Sequence, residues 1–245
     1  MNKFFYPGAI TFLLGFLISS CTPEYKKSYN EGILLKQKGT HESLKKSLRQ
    51  FEDAVKYAIL AVNQQGEIKK SLGIKMLEYK MFLEGARYLE DSLKINSTDL
   101  NALYYLGLAY ANYAETCPRA EEAAKYLDEA ENVYQKGLEI AGKNALAAGS
   151  PEEKNISSSR FFYALGLLHG FLRSNPAEGI SFLEKVLAFE PKHIDAHFSL
   201  AKMHFSLHHY EKTEDHYRTL LSILDEKSDR WINVKKNLED LQNLR

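Results

Sequence analysis

Apolar residues recur along this chain at three- and four-residue intervals, and stretches that alternate with period two are almost absent, so the chain reads as all-helical. The clearest unit runs from Ile194 to Ile223. There Ala196, Leu200, Met203 and Leu207 mark one face of a first helix, and Tyr217, Leu220 and Leu221 mark a second, with Leu224 close behind. About 35 residues upstream the same grammar returns. Tyr163-Ala164-Leu165-Gly166-Leu167 opens a helix, and Ile180, Leu183, Val186 and Leu187 form its partner, closed by Glu190-Pro191. A third copy starts at Asn101 to Tyr110 and returns through Tyr134 to Ile140, its second helix lengthened by about 11 residues relative to the others. Tyr25 to Asn63 and Gly66 to Ile95 keep the period as two further helix pairs, through Phe51, Ala54, Val55, Ile59 and Val62, then Met76, Phe82, Leu83, Leu89 and Leu93. The polar stretch 142–159 is expected to be a surface loop. Trp231, Val234, Leu238 and Leu241 form a single apolar stripe on a last, half-polar helix suited to closing the open end of a stack.

A period in the mid-thirties built from two helices, with small residues where they cross, resembles the tetratricopeptide repeat. Leu106-Gly107-Leu108-Ala109-Tyr110, Leu165-Gly166 and Leu200-Ala201 stand at that family's leucine, small and aromatic positions of the first helix, with His169 and His204 in place of the usual tyrosine. Ala130, Gly179 and Thr213 fall at the small position of the second helix, and Pro191 at the terminal proline. The match is strongest over residues 158–225 and weak before residue 100. The resemblance implies a right-handed α-solenoid of antiparallel helix pairs: divergent pairs over 28–95, three repeats over 96–225 and a capping helix over 226–245.

The first 21 residues carry a different signal. Lys3 precedes an apolar core from Ala9 to Ile18, and Ser19 and Ser20 are small residues in front of Cys21. This resembles a bacterial lipoprotein signal, which implies removal of residues 1–20, lipidation of Cys21 and a short tether over 21–27. The apolar run is shorter than the roughly 20 residues of a membrane span. The expected location is the bacterial cell envelope, on the inner or the outer membrane, facing the periplasm.

Charge excludes partners without naming one. Thirty-two Lys and Arg balance 32 Asp and Glu, and losing Lys3 leaves the mature chain about one unit negative, so no basic field argues for nucleic acid. With Cys21 lipidated, Cys117 would be alone and no intramolecular disulfide could form.

Candidate chemistry is sparse. Six of eight histidines lie between His193 and His216, and His197, His204 and His208 fall on one helical face. His204 and His208 have zinc-ligand spacing, yet no Cys, Asp or Glu completes a set, and His197 and His204 occupy aromatic packing positions of the repeat. No glutamate follows the first histidine of either HxxxH pair, which excludes the metalloprotease helix. Ser43-Leu44-Lys45-Lys46 is an isolated SxxK, Cys117 has no evident base, and there is no glycine-rich phosphate loop. Asn96-Ser97-Thr98 and Asn155-Ile156-Ser157 are sequons without weight behind a bacterial address. No cofactor, metal site or catalytic residue is expected.

What remains is surface. In tetratricopeptide stacks the first helix of each pair lines the inner face, which implies Tyr104, Leu108, Arg160, Tyr163, Leu167, Phe198, Lys202 and Phe205 as partner-binding positions. Such rings at helical spacing can equally be core. Tyr104, Leu108, Tyr163 and Leu167 depart from the lysine, asparagine and arginine ring by which some members clamp a C-terminal carboxylate. The expected role is a non-enzymatic interaction scaffold holding a peptide segment or helix, with a homo-oligomer left open. Through Ala109-Tyr110-Ala111-Asn112-Tyr113-Ala114, then Ala120 to Ile140 and Ala164-Leu165-Gly166-Leu167-Leu168, residues 95–245 also resemble the T-component lipoprotein of tripartite (TRAP) transporters, which implies instead the handling of apolar ligands with a solute-binding partner.

Overall fold

The computed structural model describes residues 24–148 and 151–244, with side chains described outside 144–157. Ile18, Ser19, Ser20 and Cys21 lie outside the described residues. Among the described residues there is no strand, and no helix is long and apolar enough to cross a membrane. The helices are α1 (24–37), α2 (His41–Glu78), α3 (Phe82–Leu93), α4 (Leu100–Thr116), α5 (Ala120–Ala148), α6 (Pro151–Leu167), α7 (Pro176–Phe189), α8 (Ile194–Ser206), α9 (Tyr210–Ile223) and α10 (Asp229–Asn243). A π-helical turn, Leu168–Leu172, continues α6. The chain divides into two compact units, 1–69 and 70–245.

In the first unit, α1 lies along the N-terminal half of α2. The Ser47 hydroxyl donates to the Gly32 carbonyl at 2.8 Å, and the Phe51 ring meets Tyr29 edge-on while filling the space a side chain at position 32 would need. Thr40 caps α2 reciprocally with Ser43: the Ser43 amide donates to Thr40 Oγ1 and the Thr40 amide to Ser43 Oγ. The serine of the SxxK stretch is therefore occupied as a cap.

Two expectations are corrected here. The sequence pattern places a break between helix pairs at residues 63–66, but α2 runs unbroken for 38 residues. Gly66 costs a helix interior only about 1 kcal/mol against alanine, and Asn63-Gln64-Gln65 contains no proline to stop it. Residues 142–148 and 151–159 are likewise helical where a surface loop over 142–159 was expected. α5 continues to Ala148 and α6 starts at Pro151, because Asn144-Ala145-Leu146-Ala147-Ala148 is rich in strong helix formers and Pro151 with Glu152 and Glu153 suits a first helical turn.

In the second unit each helix from α3 to α10 packs on its successor, and the short connections make successive helices antiparallel neighbours. Backbones approach closely at small residues. A Cβ at Gly107 of α4 would stand 2.3 Å from the buried ring of Tyr134 on α5, and one at Gly179 of α7 would stand 2.8 Å from the Gly166 carbonyl of α6. Ala130, Ala201 and Thr213, at the equivalent crossings, are wholly buried. One apolar core joins α3 to α6 around Leu89, Leu103, Leu106, Tyr134, Phe161 and Leu165; a second joins α6 to α8 around Leu183, Val186, Leu200 and Met203. At the end, α10 buries Val234, Leu238 and Leu241, and the Trp231 indole donates to the Leu221 carbonyl of α9 at 3.2 Å.

The caps are built from side chains. Asp99 accepts from the Asn101 and Ala102 amides and pairs with Lys70 at 2.7 Å, Asn175 accepts from Glu178 with Pro176 in the first turn, and the His193 ring accepts from the Ala196 amide. The turns closing α2, the π-helical segment and α8 hold Lys80, Ser174 and His208 at φ values of 53–60°, the left-handed geometry of helix C-termini.

Gly107→Ala is expected to lower stability by about 1–3 kcal/mol, the usual cost of overpacking, read as a fall in the thermal midpoint, whereas Gly142→Ala, with nothing within 4 Å of its Cβ position, leaves it unchanged or raises it. Equal effects of the two would show that the close crossing does not limit the fold.

Candidate partner-binding groove

The first helices of the three C-terminal pairs, α4, α6 and α8, line one groove made of two adjoining hollows. The first, about 230 Å³, is walled by Tyr104 and Leu108 of α4, Tyr163 and Leu167 of α6, and Leu168 and Phe171 of the π-helical turn. The second, about 450 Å³, is walled by Phe198, Lys202 and Phe205 of α8 with Tyr217, Phe171 and Asn237. Phe171 belongs to both. Seven of the eight positions expected at a partner surface thus line the groove. The eighth, Arg160, stands beside it, its guanidinium 5.6 Å from the Tyr104 ring centre and bonded to Asn101.

Site or core was the open question for these rings. Tyr104, Leu108, Tyr163, Leu167 and Phe198 are half-buried, and Lys202 and Phe205 are exposed. Tyr104 and Tyr163 each pack one side on neighbouring rings while lining the first hollow with the other. Tyr104 rests on Phe161 and Tyr134, and Tyr163 stacks on the His193 ring at 5.1 Å. Burial raises the Tyr104 and Tyr163 hydroxyls above the ordinary phenol value, so both stay neutral hydrogen-bonding groups at physiological pH.

Cations sit over the aromatic walls. Besides Arg160 over Tyr104, the Lys202 ammonium lies 4.7 Å from the Phe171 ring centre and the Arg230 guanidinium 4.9 Å from that of Phe198. Arg230 also pairs with Asp195. Burial lowers Arg160 from the usual guanidinium value, and its Nε is buried without a hydrogen-bond partner.

Phe171, Leu168, Tyr217 and Asn237 were not found by sequence reasoning. Phe171 reaches the groove because the π-helical turn inserts a residue into the helical register, for which the sequence Leu168-His169-Gly170-Phe171-Leu172 carries no evident mark. Gly170 lets Met203 of α8 fill the space beside that turn.

The histidines are arranged differently from the expected face. His208 is exposed in the turn after α8 and bonds to the Tyr210 hydroxyl, because α8 ends at Ser206. His209, the residue before α9, and His216 within α9 instead meet His204 and His197. The Pro191 carbonyl can only accept, so His197 carries its hydrogen on Nε2, 2.9 Å away. His197 Nδ1 and His216 Nδ1 lie 3.0 Å apart and share one hydrogen between them. His204 stacks on His216 with ring centres 5.6 Å apart and lies 3.4 Å, Nδ1 to Nδ1, from His209. Burial, reinforced by Lys212 and the neighbouring histidines, pushes His204 and His216 down to about 4. Among the described residues no three His, Cys, Asp or Glu side chains are grouped to hold a metal ion.

Residues 74–155, a third of the chain, match the family of the plant-specific mitochondrial import receptor subunit TOM20. No curated protein matches the sequence. A thermophilic TPR protein of Thermus thermophilus, TTC0263, is 16% identical over 89% of this chain and 99% of its own, with a TM-score of 0.56. The fold is that of tetratricopeptide-repeat proteins. Pseudomonas aeruginosa pilF, at 15% identity over 74% of this chain and 86% of its own, gives a TM-score of 0.37. PilW, a type IV pilus biogenesis factor, at 13% over 73% and 86%, gives 0.40.

The histidine pairs predict acid sensitivity of the C-terminal pair. Native His204 and His216 resist protonation until about pH 4, whereas the unfolded chain takes up those protons near 6.5. Their contribution is whole above about pH 6.5, is lost as pH falls toward 4, and amounts to a few kcal/mol. The thermal midpoint should fall through that window. His204→Phe, which restores an aromatic at a packing position, should flatten the profile; an unchanged slope would place the acid sensitivity elsewhere.

Proposed function

We propose that this protein is a membrane-anchored lipoprotein of the bacterial envelope, held through lipidated Cys21, whose groove captures an extended or helical segment of a protein partner on its periplasmic side. The observation that carries the groove reading is the row of half-buried aromatics on α4, α6 and α8, lined by cations and open on one edge. Aromatic anchors of this kind concentrate binding energy in a few residues. The 230 Å³ hollow has the size of one or two side chains and lies below the usual volume for drug-sized ligands. The second hollow, about 450 Å³, reaches that volume, but its walls include the exposed Lys202 and Phe205, which suits a side chain of a protein segment rather than a sequestered apolar ligand.

Arg160, Lys202 and Arg230 give the groove a cationic edge, with Glu115 at the far wall of the first hollow. A partner segment that places apolar side chains in the two hollows and a carboxylate near Lys202 satisfies this surface. The signal at residues 1–21 supports the anchor, and a lipid there would confine the groove to a membrane face and raise its effective concentration for partners at that face.

Crosslinking in the native membrane, with identification of the captured protein, tests this reading. Tyr163→Ala with Phe198→Ala should weaken capture by at least about tenfold, the loss of one strong anchor, with far-ultraviolet circular dichroism unchanged. Capture that survives both substitutions removes the groove from function. For the anchor, metabolic labelling with a palmitate analogue should mark the wild type and not Cys21→Ser; a label on neither would refute lipidation.

A further inference from the structure

The strongest unexplained feature lies away from the groove, on the N-terminal half of α2. Leu44, Leu48, Val55, Ile59 and Val62 are each 46–60% exposed. At 100° per residue they fall within a narrow sector of the helix surface, and at 1.5 Å per residue the row is about 27 Å long. It is distinct from the sector that α1 covers, where Ser43, Ser47 and Ala54 are buried; that sector lies about 100° round the helix. Tyr57 and Leu60 are exposed as well but lie on the other side of the helix and are not part of the row. Scattered exposed apolar residues are ordinary, but a continuous row of large aliphatics marks a surface that something covers.

We propose that a second copy of this chain covers it, with the two α2 helices packed antiparallel. Charge along the edge of the row sets the choice. Glu52 and Lys56 are both exposed there. An antiparallel pair related by a two-fold axis near residues 53–54 places Leu44 opposite Val62, Leu48 opposite Ile59 and Glu52 opposite Lys56 of the second copy. The symmetry repeats each pairing. A parallel pair, whose two-fold axis runs along the helices, would instead put the Glu52 and Lys56 of the two copies on opposite edges of the interface and leave this charge pairing unmade. An anionic lipid surface would match Lys45, Arg49 and Lys56 but oppose Glu52. The doubled row buries on the order of 1,000 Å², the lower range of specific interfaces, so a dimer that assembles readily at a membrane-confined concentration is expected. The pairing is independent of what the groove binds.

The test uses the full chain carrying Cys117→Ser. Leu48→Cys and Ile59→Cys chains, mixed and treated with a short bismaleimide, should give a covalent dimer at least about tenfold more abundant than either variant alone, as expected when only the mixed pair brings two thiols together. Glu52→Lys should weaken self-association by about tenfold through two lost pairs and two new repulsions, and Glu52→Lys with Lys56→Glu should restore it. Strong self-crosslinking of Leu48→Cys alone, or a Glu52→Lys chain that associates as the parent does, overturns the antiparallel register. No product above the Cys117→Ser background overturns the dimer. A benzophenone photocrosslinker at position 55 that captures lipid from phosphatidylcholine and phosphatidylglycerol vesicles, and not a second chain, assigns the row to the membrane instead and also overturns it.

Discussion

The groove depends on how closely successive helices approach within each repeat. At Gly107, Gly166 and Gly179 the absent side chain is what admits a tyrosine ring, a leucine or the neighbouring backbone, and Ala201 and Thr213 play the same part in the last pair. That approach fixes the spacing of the first helices. The spacing in turn decides whether Tyr104, Tyr163 and Phe198 close over one another into core or stand apart with one edge open. Interiors are close-packed, so an enlarged residue at a crossing would displace a whole helix and carry its groove residues with it.

Polar groups inside the stack fasten one repeat to the next. His169 is buried against the Phe182 ring and lies within 3.4 Å of carboxylates on both α5, through Glu131, and α7, through Glu178. Arg173 bonds to Asp128 and Glu131 on α5 from the far side of the same turn. These contacts tie the π-helical turn to the long second helix of its neighbour. They hold in place the backbone that presents Phe171, so the groove's shared wall rests on polar side chains on the opposite side of α6.

The repeat and its core were legible in the chain because they follow from periodicity and from the size of single residues. Leu165-Gly166, Leu200-Ala201 and Pro191 suffice to align the last two pairs, and the same alignment places seven groove residues on one surface. What was not legible depends on competition between weak local terms. Helix continued through Gly66 and through 142–148 because turn-forming residues there cost less than the helical hydrogen bonds they would interrupt. His208 was misplaced by two residues of helix length, while His216 joined the cluster across a contact that only folding creates. Lys80, Ser174 and His208 take left-handed turns that glycine would mark openly, so those helix ends are invisible to a search for glycine.

The π-helical turn has a consequence for how such a protein can diversify. A turn of this kind holds one residue more than an α-helix needs. Losing a residue between Leu168 and Leu172 would return the segment to ordinary helix with its flanks kept in register, so that the wall Phe171 makes between the hollows would be altered while the helices α7 to α10 themselves stay intact. A single codon lost there would thus reshape the shared wall of the groove without changing the fold around it.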